Sequence, residues 1–281
     1  MLEPSTVILM LVAGILHASW HSLVKSVSDQ LVVLAGMGLV ASAIFACMLP
    51  FLPFPSAPVW VVIAGSACLH IGYKFALARA YALGDLGQAF PLARGFVPLF
   101  SVALAFVFLG QLPSSSQIAG IAAVSFGLIW LAVQSIRGGV DRRIFLATPL
   151  AGLAVAGYAV ADSYGTRLAG DWLAFAAWLN ITDGVLFAGI VRATRGRQLW
   201  SELYRQRARV LASGLLGILS MSVVLWALSR SAVGPVSALR ESSVLFATII
   251  GVAVHREAAT VQRLCAAACI VLGLVTFTTL Q

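Results

Sequence analysis

Charge is what this sequence has least of. Only 10% of its 281 residues are Asp, Glu, Lys or Arg, while 60% are hydrophobic and the mean hydropathy is +0.98. An average soluble domain is about a quarter charged, because its surface must be coated with charge. The shortage excludes a soluble enzyme and a disordered chain. Cysteine is also scarce. Cys47, Cys68, Cys265 and Cys269 lie in apolar runs without CxxC spacing, which excludes a disulfide scaffold and reads as small buried hydrophobes. Lysine is nearly absent, with only Lys25 and Lys74 beside the arginines. No Walker A loop is present, which argues against ATP-driven pumping. No GxSxG elbow or dinucleotide fingerprint stands in a strand–turn–helix setting either.

What the chain has instead is long apolar runs. At roughly 20 residues per span there is room for about ten membrane helices. The runs are Ser5–Val24, Leu31–Leu52, Val59–Ala80, Leu86–Leu109 and Ile118–Ile136, then Phe145–Leu168, Trp172–Val191, Val210–Leu228, Pro235–His255 and Val261–Leu280. They are too long and too unalternating for membrane β-strands. The N-terminus, Met1 to Pro4, has no basic region before its apolar run, so the first run is expected to be a retained span.

The two halves resemble each other. A shift of 146 residues places Arg94 on Arg240, Leu99 on Leu245, Phe100 on Phe246, Gln111 on Glu257, and Gly127-Leu128 on Gly273-Leu274. A slightly smaller shift places Ala13-Gly14 on Ala156-Gly157. A duplicated unit of five spans must enter the membrane in the opposite sense the second time, which makes an inverted repeat. The expected fold is therefore an all-α polytopic membrane protein of ten transmembrane helices in two inverted five-helix repeats. Residues 1–136 form the first repeat, 137–144 the loop between them and 145–281 the second.

Arginine in loops sets the orientation. The loops after the fifth and seventh spans hold Arg137, Arg142 and Arg143, then Arg192, Arg195, Arg197, Arg205, Arg207 and Arg209. The opposite face holds little beyond Arg167 and Arg230. The positive-inside rule makes the rich loops cytoplasmic and leaves both termini outside. The net charge of +8 is explained in this way, without a nucleic-acid partner.

Ionisable groups at membrane depth each cost at least a few kcal/mol and ask for a reason. Arg79 and Arg263 lie near span ends and can snorkel. Lys74, Arg94, Asp162, Asp183, Arg240 and Glu241 lie deeper. They either pair to lock helices together or line a wet cavity. His70, Lys74 and Tyr81 fall on one helical stripe. Tyr158 and Asp162 are four apart, as are His17 and His21, with Trp20 beside them. The His pair lacks a third ligand, and no metal or other cofactor is expected. Pro91, Pro98 and Gly95 flank Arg94, so the helix is expected to bend there.

Matched arginines lie near the axis of an inverted repeat, where such proteins bind solute. The expected solute-binding set is Arg94, Arg240, Lys74, Tyr81, Trp20 and Tyr158. Guanidinium forks suit a carboxylate, phosphate or phosphonate, so an organic anion or zwitterion is expected. Asp162 and Asp183 are the candidates for proton coupling, since a carboxylate in a partly dry site can exchange a proton.

Several stretches carry a family resemblance: Tyr81 to Gly84, Pro91 to Phe100, Gly110-Gln111 and Gln117 to Gly120 in the first half. The second half repeats it in Ala232 to Pro235, Arg240, His255 to Glu257 and Gln262. The chain resembles the EamA-type transporters of the drug/metabolite transporter superfamily. It departs in having Gln111 where the family often has Glu, and Val244 where it often has Pro. The resemblance implies a ten-helix bundle, a central cavity and alternating access, in exporters or exchangers of small metabolites. The run Pro91 to Gly95 is similar to a branch associated with phosphonate utilisation.

The expected function is thus secondary transport of small polar metabolites, not enzymatic. Its partners are a small-molecule solute and the lipid bilayer, in a multi-pass monomer or homodimer of the cell (inner) membrane. The alternatives are a transporter-like structural or sensor subunit and an intramembrane enzyme.

Overall fold

The structure is a computed structural model that describes residues 3–83, 94–137, 144–254 and 261–279. All regular secondary structure among the described residues is helical. Helices α1 (Pro4–Lys25), α2 (Gln30–Met48) and α3 (Ala57–Leu83) are followed by α4 (Val97–Leu109) and α5 (Ser115–Arg137). The second half holds α6 (Ile144–Ala169), α7 (Trp172–Arg195), α8 (Gln198–Arg205), α9 (Arg207–Arg230), α10 (Val233–Arg240), α11 (Ser242–Ala253) and α12 (Val261–Thr279). Among the described residues, six helical segments are long and apolar enough to cross a membrane. Large apolar side chains such as Ile8, Phe106 and Leu215 are half or more exposed. That is the surface a bilayer requires and water would penalise.

Local chemistry sets the helix ends. Asp29 and Asp171 cap α2 and α7, which are the second spans of the two halves. Asp29 Oδ1 accepts from the Val32 amide at 3.4 Å, and Asp171 Oδ1 accepts from Leu173 and Ala174 at 2.8 and 3.2 Å. Each carboxylate satisfies amides that the first helical turn leaves without partners. Gly110, at φ +64°, closes α4 in the left-handed conformation that glycine adopts without strain.

Two expectations change here. The polar stretch Arg192–Arg209 is expected as a loop, but its centre folds into α8. Leu199 and Leu203, four apart, give that short helix an inward face. The ninth span is expected as one run, but it is broken at Glu241 into α10 and α11. The start of the fourth span, the end of the ninth and most of the 137–144 loop lie outside the described residues.

Helix contacts come in matched pairs. α3 packs on α6 as α1 packs on α9. α4 packs on α6 as α1 packs on α11, and α3 meets α7 as α2 meets α9. Exchanging the five spans of one half with those of the other converts each member of a pair into its mate. Other contacts map onto themselves, among them α2 with α7 and α5 with α12. Glycines related by the same 146-residue shift lie at both. A Cβ on Gly38 would fall 2.9 Å from the Gly184 Cα. One on Gly127 would lie 2.9 Å from the Ala266 carbonyl oxygen, and one on Gly273 would lie 2.8 Å from that of Gly120. Small residues let backbones meet in lipid, where packing rather than water drives helix association.

Candidate solute-binding site

The site is built on two helix breaks. Arg240 is the last residue of α10, and Glu241 forms the turn before α11. The Glu241 amide bonds back to Ala238 at 3.1 Å, and the Val244 amide to Glu241 at 2.9 Å. Gly14 of α1 sits against this break, with its missing Cβ 2.6 Å from Ser242 Oγ. In the first half Arg94 stands before a turn at Gly95 and Phe96, and α4 follows.

The two arginines have different surroundings. Arg94 Nε donates to Glu241 Oε2 at 3.1 Å, and both side chains are fully buried. Arg240 is 7% exposed, forms no ion pair with a described carboxylate, and has its Nε without a hydrogen-bond partner. Its guanidinium lies 5.4 Å from the centroid of the Tyr158 ring. The repeat explains the difference. Shifted back by 146 residues, Glu241 falls on Gly95. The arginine is duplicated and the glutamate is not, so the mate of the Arg94–Glu241 pair has no acid.

Arg240 borders a cavity of about 110 Å³ among α1, α2, α3, α6, α7, α9 and α10. Its polar and aromatic wall includes His17 and Trp20, then His70, Tyr73 and Lys74, with Tyr158, Asn180 and Asp183 completing it. The opposite wall is apolar, from Met37, Gly38 and Ala41 of α2 and Gly214, Gly217 and Met221 of α9.

The remaining charges pair across helices. Lys74 Nζ donates to Asp183 Oδ2 at 2.5 Å, joining α3 to α7, and lies 4.8 Å from the Phe187 ring centroid. Asp162 is fully buried behind the wall. It accepts from Ser66 at 2.5 Å and lies 3.2 Å from His70 Nε2. The His70 ring stacks on Tyr158 with 3.9 Å between centroids. Arg240, Tyr158, His70 and Asp162 thus form one continuous column. A second column runs down α1. Trp20 Nε1 donates to His17 Nδ1 at 3.2 Å, His17 and His21 meet through their Nε2 atoms at 3.0 Å, and His21 Nδ1 reaches the Tyr81 hydroxyl at 2.5 Å.

Of the expected solute-binding residues, Arg240, Lys74, Trp20 and Tyr158 border the cavity. Arg94 and Tyr81 are buried and do not border it; Arg94 pairs with Glu241, next to Arg240, and Tyr81 is linked to the cavity wall through His21 and His17. Of the two carboxylates, Asp183 borders the cavity and Asp162 does not. His17, His70, Tyr73 and Asn180 border it without belonging to the expected set. Helical spacing placed His70 four residues before Lys74 and Asn180 three before Asp183, the signal that could have added both.

An all-helical bundle with lipid-facing sides and a buried charged centre defines a multi-pass membrane protein. Residues 143–279 match the sequence model of the EamA-like transporter family. That second half of the chain is therefore similar to the EamA-like transporters. No curated protein matches the sequence. The chain is similar in fold to a solved structure titled only "Crystal structure of protein", with a TM-score of 0.74 and 18% identity, covering 99% of this chain and 98% of that one.

Proposed function

We propose that the chain is a secondary transporter of small organic anions or zwitterions across the plasma membrane. It works by alternating access between inverted halves, residues 1–136 and 145–281. The family match supports transport of small solutes. The self-exchanging helix contacts and the glycine pairs support the inverted repeat.

The observation that carries the solute class is Arg240, a buried guanidinium at the cavity with no ion pair to a described carboxylate. Lys74 and Arg94 each have an acid of their own. A buried cation without a counterion is costly, and an anionic solute supplies the missing charge as a forked hydrogen-bond acceptor. Asp183 Oδ1 has no hydrogen-bond partner and can accept from the ammonium of a zwitterion. Asp162 and Asp183 remain the candidates for proton coupling, through His70 and Lys74 respectively.

The test is uptake into proteoliposomes across labelled carboxylates, phosphonates, zwitterions and amines. Arg240→Lys keeps the charge and loses the fork, so anion uptake should fall; Arg240→Gln should lower it further. Preference for cations, or full uptake by Arg240→Gln, refutes the assignment. If both Asp162→Asn and Asp183→Asn keep the wild-type pH dependence, coupling lies elsewhere.

A further inference from the structure

The strongly basic joint between α7 and α9 takes no part in the cavity. Between Arg192 and Arg209 the chain carries six arginines against one acid, Glu202. Helix α8 crosses this joint with two distinct faces. Leu199 is fully buried, and Leu203 packs with Val210 against Gly36 of α2. On the other face Trp200 and Tyr204, four residues apart, are 55% and 71% exposed. The leucines already fill the inward side, so the core does not account for two large aromatics left outside. Amphipathic rings among arginines belong to the headgroup layer of a membrane.

Some of these arginines are neutralised and some are not. Arg195 pairs with Asp29 at 2.8 Å and Arg205 with Glu202 at 2.5 Å. Arg197, Arg207 and Arg209 are exposed and form no ion pair with a described acid. Two of the three are held in place by neutral groups. The Arg207 guanidinium lies 4.8 Å from the Tyr204 ring centroid and donates to the Tyr204 carbonyl at 3.3 Å. Arg209 donates to Gln206 Oε1 at 2.7 Å.

We propose that α8, with the adjoining ends of α7 and α9, is a docking surface for the headgroup of an anionic phospholipid. Arg197, Arg207 and Arg209 receive the phosphodiester, and Trp200 and Tyr204 seat in the glycerol–ester layer. Charge complementarity selects the occupant: three exposed guanidiniums need an anion that stays at this depth. The positive-inside rule assigns this face to the cytoplasmic leaflet, which carries negative lipid. The joint links α7, which brings Asp183 to the cavity, to α9, which brings Gly214 and Gly217. A bound headgroup therefore ties together two walls of the cavity.

The experiment uses the purified, delipidated full chain, titrated with phosphatidylglycerol or phosphatidylcholine, with bound lipid counted by native mass spectrometry. The wild type should retain phosphatidylglycerol preferentially and release it in high salt. Arg197→Gln/Arg207→Gln/Arg209→Gln should weaken phosphatidylglycerol binding about fivefold per arginine, on the order of a hundredfold in total. Phosphatidylcholine binding and the melting temperature in that lipid should not move. Equal retention of both lipids by the wild type overturns the proposal, as does wild-type phosphatidylglycerol affinity in the triple variant. Displacement of phosphatidylglycerol by inorganic phosphate alone makes this an ion site and overturns the lipid assignment. If the triple variant does not fold, the wild-type salt titration decides, since salt-insensitive binding is incompatible with a headgroup held by charge.

Discussion

Arg94 and Glu241 join the two halves at their helix breaks, Nε to Oε2 at 3.1 Å, in a pair fully shielded from solvent. Removing one partner from such a pair leaves the other charge buried alone, which costs about 3–5 kcal/mol. Arg94→Gln and Glu241→Gln should each lower the melting temperature sharply. The double variant should lose much less than the sum, because it strands neither charge. Thermal unfolding of all four proteins gives the coupling energy. Strict additivity would mean that the pair does not act as a unit.

The glycines of the second-span contact make a different prediction. A Cβ at Gly38 meets the backbone of Gly184, which cannot move aside, whereas one at Gly65 of α3 meets nothing within 4 Å. Gly38→Ala should therefore destabilise by about 1–3 kcal/mol through overpacking. Gly65→Ala should be neutral, or stabilise by up to about 1 kcal/mol through lower chain entropy. Equal losses for the two variants in melts of the purified protein would show that backbone contact is not what distinguishes them.

Gln111 ties the halves together at a third point, where its Oε1 accepts from the Val233 amide at the start of α10 at 2.9 Å. That amide has no partner inside its own helix. Gln111→Ala should cost about 1 kcal/mol and speed hydrogen exchange at Val233. Gln111→Glu keeps an acceptor and should preserve protection. Unchanged exchange in Gln111→Ala would show that another group caps α10.

The helical class, most helix positions among the described residues and the burial of the charges at Arg94, Asp162, Asp183, Arg240 and Glu241 could be read from the sequence. Apolar runs and buried ions follow from composition along one dimension. The pairings could not be read that way. That Lys74 chooses Asp183, and Arg94 chooses Glu241, depends on which helices face each other. Arg94 and Arg240 look equivalent as a repeated residue, yet the neighbouring position differs, Gly95 against Glu241, and that separates their roles. Helix α8 was hidden for another reason. It is two turns long, and its polar composition outweighed the spacing of Leu199 and Leu203.

The missing acid opposite Arg240 can be supplied. Gly95 occupies the position that Glu241 holds in the other half, so Gly95→Glu adds the carboxylate that the repeat lacks. If Arg240 is the anion receptor, a carboxylate there competes with the solute for its guanidinium. A charge-assisted bond of this kind is worth about 1.5–3 kcal/mol, so anion uptake should fall by about tenfold or more. Gly95→Gln has nearly the same volume and no charge, and separates crowding from electrostatics. Uptake should fall far more with Glu than with Gln, and Gly95→Glu/Arg240→Gln should be no worse than Arg240→Gln alone. Equal loss in the Glu and Gln variants would mean that only space matters at the first break, and the unpaired charge of Arg240 would then not explain anion selection.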